Sequence, residues 1–224
     1  MDVIGPVKSA IKARRNLIYV YLFISIAGTL LVLSRQFLDT DKTFLFLLWN
    51  FFLAGLPLIL SSIMIQMSLN GTTRNSLMGL GFLWLLFLPN APYMLTDYIH
   101  VIYGDRKYLL LDAFTLSWFA VSAFASAVIS LKDISGLLLE RFYTWQVTMM
   151  VLGICLMCSF GILLGRDLRF NSWDVIMKPQ TLVTETVVRL TNPSADFYTW
   201  ISSMTIGLLL FFVYLATKAS DKVV

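Results

Sequence analysis

Six apolar runs, near residues 17–34, 44–65, 76–95, 109–131, 145–165 and 197–217, limit what this chain can become. Roughly 20 helical residues at ~1.5 Å rise are needed to cross ~30 Å of hydrocarbon, and the runs are close to that length. Inside a bilayer no water is at hand to satisfy exposed peptide groups, which leaves helices and closed barrels as the spanning structures. Barrel strands would alternate in polarity at every second residue, and these runs do not. The expected fold is therefore all-α: a polytopic integral membrane helix bundle of six transmembrane helices. Composition points the same way, with 58% hydrophobic residues, 13% charged residues and a mean hydropathy of +0.78. The polar segments between the runs are too short to bury a core of their own, so residues 1–224 are expected to form one membrane domain.

The formal charge of +4 has its clearest concentration before the first run, where Lys8, Lys12, Arg14 and Arg15 stand together. That is the positive-inside pattern of a membrane protein rather than a nucleic-acid patch. It puts the N-terminus in the cytoplasm, and six crossings return the C-terminus, with Lys218 and Lys222, to the same side. The first run also resembles a signal peptide, but no small-residue cleavage site precedes Arg35 and five more runs follow, so it is read as a retained span. Whatever the orientation, the loops after the third and fifth runs lie on one side, because two crossings separate them. In the orientation given by the basic cluster, that side is extracytoplasmic.

Both of those loops concentrate polar residues. The third run breaks in LFLPNAPYMLTDYIHV, residues 86–101. Proline lacks a backbone donor and restricts the residue before it, so Pro89 and Pro92 are expected to end a continuous helix near residue 88. Asn90 can then cap a new helix, which would put Tyr93, Asp97 and His100, the single histidine, on one face. Asp112 enters the fourth run one turn from the same surface, and Asn50 lies about two turns into the second. The fifth run ends there too, in GRDLRFNSWDVIMKP, which holds Arg166, Asp167, Arg169, Asn171 and Asp174.

These two motifs, together with WNFFLAGLPLIL of the second run, resemble the bacterial multi-pass family catalogued as domain of unknown function 1361. The similarity covers roughly residues 44–180. The resemblance implies a polytopic bacterial membrane protein, placed in the plasma (inner) membrane, and brings no activity, cofactor or substrate with it.

Chemistry narrows the roles of the polar residues without fixing them. Asp97, His100 and Asp112 are the candidate catalytic set, suited to proton transfer, although charged groups near an interface are also tolerated simply because they are hydrated. Three candidates from two adjacent segments make a poor metal signature, and no cofactor is assigned. Arg166 and Arg169, with Asn90 and Asn171, form a candidate anion site, because guanidinium forks suit phosphate or carboxylate and a helix start adds partial positive charge. Asn50, Tyr93, Asp167 and Asp174 would support these groups. The architectural alternative makes Asn171 and Asp174 a helix cap and the two arginines interfacial anchors. Membrane lipids are the expected partners, with an anionic or lipid-linked phosphate as the expected ligand.

Other features carry less. Cys155 and Cys158 spell CxxC, yet they sit deep in the fifth run with no basic neighbour, and are read as packing residues. Gly161 and Gly165 form a small-xxx-small face for close helix approach. Nucleotide-binding loops, HExxH and GxSxG are absent, which removes support for ATP-driven transport by this chain alone and for the common hydrolases. Within residues 166–196, TLVTETVVRL places Leu182, Val183, Val187 and Leu190 on one side and Glu185 four residues before Arg189. A short amphipathic helix is expected there, as a surface connector or as a lid over the polar site. Three classes stay open: a membrane enzyme or binding protein for an anionic amphiphile, a secondary transporter using the broken third span, and an accessory or assembly subunit.

The topology generates a direct test. In a background lacking Cys155 and Cys158, Asp105→Cys and Asn192→Cys should react with an impermeant thiol reagent outside intact cells, and Thr73→Cys should not. Reaction of the first two on opposite sides would contradict six crossings, and reaction of Thr73→Cys alone would invert the bundle.

Overall fold

The computed structural model describes residues 4–38, 44–102, 106–167, 170, 172, 174–191 and 197–220. Among the described residues every regular element is helical. In chain order these are α1 (Ile4–Leu38), α2 (Leu45–Leu69), α3 (Arg74–Phe87), α4 (Asn90–Tyr93) and a 3-10 turn at Met94–Tyr98. There follow α5 (Ile99–Ile102), a second 3-10 turn at Arg106–Tyr108, α6 (Leu109–Leu139) and α7 (Thr144–Asp167). The chain then forms α8 (Asp174–Met177), α9 (Pro179–Thr191) and α10 (Phe197–Ser220). Six stretches are long and apolar enough to cross a membrane: Asn16–Leu38, Leu45–Leu69, Arg74–Tyr98, Leu109–Leu139, Thr144–Arg166 and Trp200–Ser220. They coincide with the six apolar runs, and the third carries the expected break.

Two boundaries differ most from the sequence expectation. α1 begins at Ile4, so the basic cluster lies in the first helix rather than ahead of it. α6 continues to Leu139, about two turns past the expected end at residue 131. Just past the expected end, Asp133 is buried and accepts a hydrogen bond from Ser61 Oγ of α2 at 2.7 Å. A carboxylate partnered in this way can stay inside a helix bundle.

α6 is the centre of the bundle and packs against α1, α2, α4, α7 and α10. Lipid tails are as apolar as leucine, so helices in a bilayer are held by close fit and interhelical hydrogen bonds. Gly28 of α1 supplies such a fit, since a Cβ there would stand 2.6 Å from Phe119 Cζ of α6. Phe51 of α2 meets Phe119 edge-on at 5.0 Å and stacks on Tyr21 of α1 at 4.8 Å. Pro57 removes one backbone donor from α2, and carbonyls of the preceding turns accept from neighbouring helices. Tyr21 Oη donates to the Phe51 carbonyl at 2.7 Å, and Ser126 Oγ of α6, which donates to its own Ala123 carbonyl at 2.6 Å, also lies 3.2 Å from the Ala54 carbonyl.

α7 and α10 form a second tight pair. Gly207 of α10 lies against Ser159 and the Cys155 carbonyl, and a Cβ at Gly207 would approach that carbonyl to 2.6 Å. Cys155 and Cys158 are free thiols buried in this part of the bundle, as packing residues would be.

A buried ion pair joins the end of α1 to the start of α6. Arg35 Nε donates to Asp112 Oδ1 at 2.5 Å, with the side chains 0% and 2% exposed. The guanidinium lies 4.3 Å from the Tyr108 ring centroid and 5.7 Å from that of Phe44, so aromatic faces cover the charge. Removing one partner of a buried pair leaves the other uncompensated at a cost of ~3–5 kcal/mol, whereas replacing both by apolar groups of similar volume is often neutral. Asp112→Ala should therefore lower the midpoint of thermal unfolding in detergent markedly, and the Arg35→Met, Asp112→Leu double variant should recover most of that loss. Equal midpoints for Asp112→Ala and wild type would show that the pair contributes nothing.

Candidate functional site

The break in the third span builds the site. α3 ends at Phe87, Leu88 and Pro89 turn, and the chain resumes through α4 and a 3-10 turn rather than through a regular helix. The Ala91 amide returns to the Leu88 carbonyl at 3.2 Å and the Tyr93 amide to the Pro89 carbonyl at 3.0 Å. Side chains meet the carbonyls at the end of α3. Asn90 Nδ2 donates to the Phe87 carbonyl and to Ser172 Oγ, both at 2.9 Å, and Ser172 Oγ donates to the Leu86 carbonyl at 3.0 Å. This corrects the expected cap. The helix cap position falls on Pro89, and Asn90 instead closes the helix that precedes it, because proline leaves carbonyls there without backbone donors. An amide nitrogen carries two hydrogens, so Asn90 has both engaged within the protein and shapes the wall of the site.

α7 lies against the same break. A Cβ at Gly161 would come within 2.7 Å of Pro89 Cγ, so only glycine admits the proline ring there. One turn further, Gly165 faces the Tyr93 ring at ordinary contact distance. The Phe170 amide folds back to the Leu164 carbonyl at 3.4 Å, which holds the chain leaving α7 beside the break.

Between these elements lies a cavity of about 1060 Å³. One part of its lining is polar: Asn50, Asn90, Tyr93, Asp97, Arg166 and Ser172. Another part is apolar and comes from deeper in α3 and α7, including Phe82, Leu85, Leu86, Met157, Phe160 and Leu164. Asp97 is buried, and Asn50 Nδ2 donates to its Oδ2 at 3.4 Å, a long contact. Arg166 lies within electrostatic reach of Asp97. Among the described residues, no carboxylate sits within ion-pair distance of the Arg166 guanidinium. Leu182 of α9 and Val175 of α8 also line the cavity, so the amphipathic segment reaches the site it was expected either to cover or to bypass.

The sequence candidates divide unequally. Asn50, Asn90, Tyr93, Asp97 and Arg166 border one cavity. Asp112 is absent from that lining and is engaged by Arg35 instead, so it holds α1 on α6 and does not extend the Asp97 group. Asp174 is buried at the start of α8, with Lys178 Nζ 3.8 Å away. His100 belongs to α5 and Asp167 ends α7, with side chains outside the described set, and Arg169 and Asn171 lie outside the described residues altogether. Among the described residues no three His, Cys, Asp or Glu side chains converge as a metal-ligand group.

Sequence reading missed Ser172 and Arg35. Ser172 is inconspicuous beside the charges of GRDLRFNSWD. Arg35 carried a usable signal, since a basic residue ending the first span and an acidic one opening the fourth must lie at the same membrane surface.

Six helices long and apolar enough to span a bilayer define a polytopic helical membrane protein. The chain belongs to the family described as protein of unknown function (DUF1361), whose match covers residues 49–213, including both polar motifs. No curated protein and no solved structure matches the chain.

The repair of the break can be tested apart from any ligand. A buried acceptor left without its donor costs ~1–3 kcal/mol. Asn90→Ala combined with Ser172→Ala should lower thermal stability in detergent by more than either change alone. An unchanged midpoint would mean that water serves these carbonyls equally well.

Proposed function

We propose that the cavity binds an anionic amphiphile or lipid-linked phosphate at the extracytoplasmic face, with Arg166 as the principal charge. The observation that carries this reading is the composition of the cavity wall, which joins a guanidinium, a carboxylate and amide groups to a run of aliphatic and aromatic side chains. A cavity of about 1060 Å³ lies at the upper end of the range for small-ligand sites, and an amphiphile matches both kinds of surface. Arg169 and Asn171 are close enough in sequence to add a second guanidinium and an amide. Asp97 would accept hydrogen bonds from hydroxyls of the same head group, and with His100 it is the candidate for moving a proton. The extracytoplasmic assignment rests on the basic cluster of α1 and the positive-inside rule.

Depth argues against a transport path. The lining comes from the first half of α2, the second half of α3 and the second half of α7, which lie in one half of the bundle. A route for transport would continue toward the other side, whereas this cavity suits a ligand that stays in one leaflet.

The test is native mass spectrometry of the detergent-purified protein with phosphatidylglycerol, which offers both phosphate and hydroxyls, against phosphatidylcholine. Hydrogen bonds to a charged group contribute ~1.5–3 kcal/mol, so Arg166→Gln should weaken phosphatidylglycerol retention by roughly tenfold or more. Arg166→Lys should fall between, because a point charge does not reproduce a guanidinium fork. Equal retention of both lipids by wild type and by Arg166→Gln would end this reading.

A further inference from the structure

The cavity is bordered by exposed side chains within two membrane-crossing stretches. Phe82 and Met157 both line it, yet they are 59% and 58% exposed, on a surface that the apolar character of α3 and α7 assigns to lipid. The close backbone neighbour of α3 is α2, while α7 packs on α10 and α6, so the two helices border the cavity without packing along their length. α7 meets the chain just beyond the end of α3, where Gly161 takes the Pro89 ring. On the midplane side of that contact the cavity wall is apolar, formed by Phe82, Leu85, Met157 and Phe160. Beyond it lie Asp97 and Arg166.

We infer that the ligand enters sideways from the bilayer, between α3 and α7, and keeps a hydrocarbon chain in that cleft while its phosphate meets Arg166. This rests on the head-group reading above and adds the route, the chain site and the exclusion of a soluble phosphate. From Phe82 to the end of α3 at Phe87 the helix rises about 7.5 Å, roughly half of the ~15 Å hydrocarbon depth of one leaflet, which suits a chain that remains in the membrane. Because such a chain passes from lipid to an equally apolar cleft, its length adds little selectivity. Discrimination belongs to the head group. Charge complementarity commits the occupant to a membrane lipid with a phosphate-bearing anionic head, since among the described residues Arg166 has no ion-pair partner of its own.

The experiment uses the full chain in phosphatidylcholine nanodiscs doped with phosphatidylglycerol that carries a diazirine in one acyl chain. Photolabelling should concentrate on peptides covering residues 78–88 and 153–165. It should be severalfold weaker with diazirine-bearing phosphatidylcholine and unaffected by excess glycerol phosphate. Phe82→Trp with Met157→Trp, at two largely exposed positions on the border of the cleft, should reduce cleft labelling while leaving thermal stability unchanged. Arg166→Gln should remove the difference between the two lipids. Labelling scattered along α1 and the other lipid-facing helices, in a protein that still prefers phosphatidylglycerol, would overturn the lateral seating and leave the head-group reading intact. Cleft labelling indifferent to head charge and to Arg166→Gln would overturn both. Displacement by glycerol phosphate would overturn the requirement for a chain.

Discussion

A proline break in a membrane-spanning helix exposes carbonyls where water is scarce, and the arrangement around Pro89 and Pro92 follows from that constraint. Asn90 and Ser172 serve the carbonyls of Phe87 and Leu86, which draws the segment after α7 onto the break. Gly161 admits the Pro89 ring, which brings α7 itself alongside. The residues after the break no longer follow one helical axis, and Tyr93 and Asp97 come to border the same cavity as Arg166. Repairing the backbone and assembling a polar wall are thus one structural event.

Charges in this bundle fall into two kinds. Arg35 and Asp112 neutralise each other under the rings of Tyr108 and Phe44, and Asp133 takes the Ser61 hydroxyl. These groups fasten helices together, as interhelical polar contacts do in lipid. Arg166 and Asp97 border an open cavity instead, with a long amide contact to Asp97 and no ion pair at Arg166 among the described residues. On the proposed reading these groups serve recognition rather than packing.

The helices were legible because spanning a bilayer imposes a length and a uniform polarity, and both are written along the chain. The position of the break was legible for the same reason, since Pro89 and Pro92 cannot continue a ladder of hydrogen bonds. Partner choice was harder. Asp97 and Asp112 look alike in sequence, fifteen residues apart at one membrane surface, and only the packing of α1 gives Asp112 to Arg35. Asn90 looked like a cap for the helix after it and instead serves the helix before it, a choice made by which carbonyls the prolines leave open. α6 runs on past the apolar run that ends at residue 131, and Asp133 stays inside the bundle because Ser61 of α2 meets it, a partner that local sequence does not show.

On the proposed reading a lipid phosphate occupies the space between the third-span break and the end of α7. A density map of the protein in nanodiscs containing phosphatidylglycerol tests it most directly. Head-group density is expected within hydrogen-bond reach of the Arg166 guanidinium, continuous with a chain running between Phe82 and Met157. Lipid density confined to the outer surface, with Arg166 turned onto Asp97 and the α3–α7 cleft closed, would contradict it.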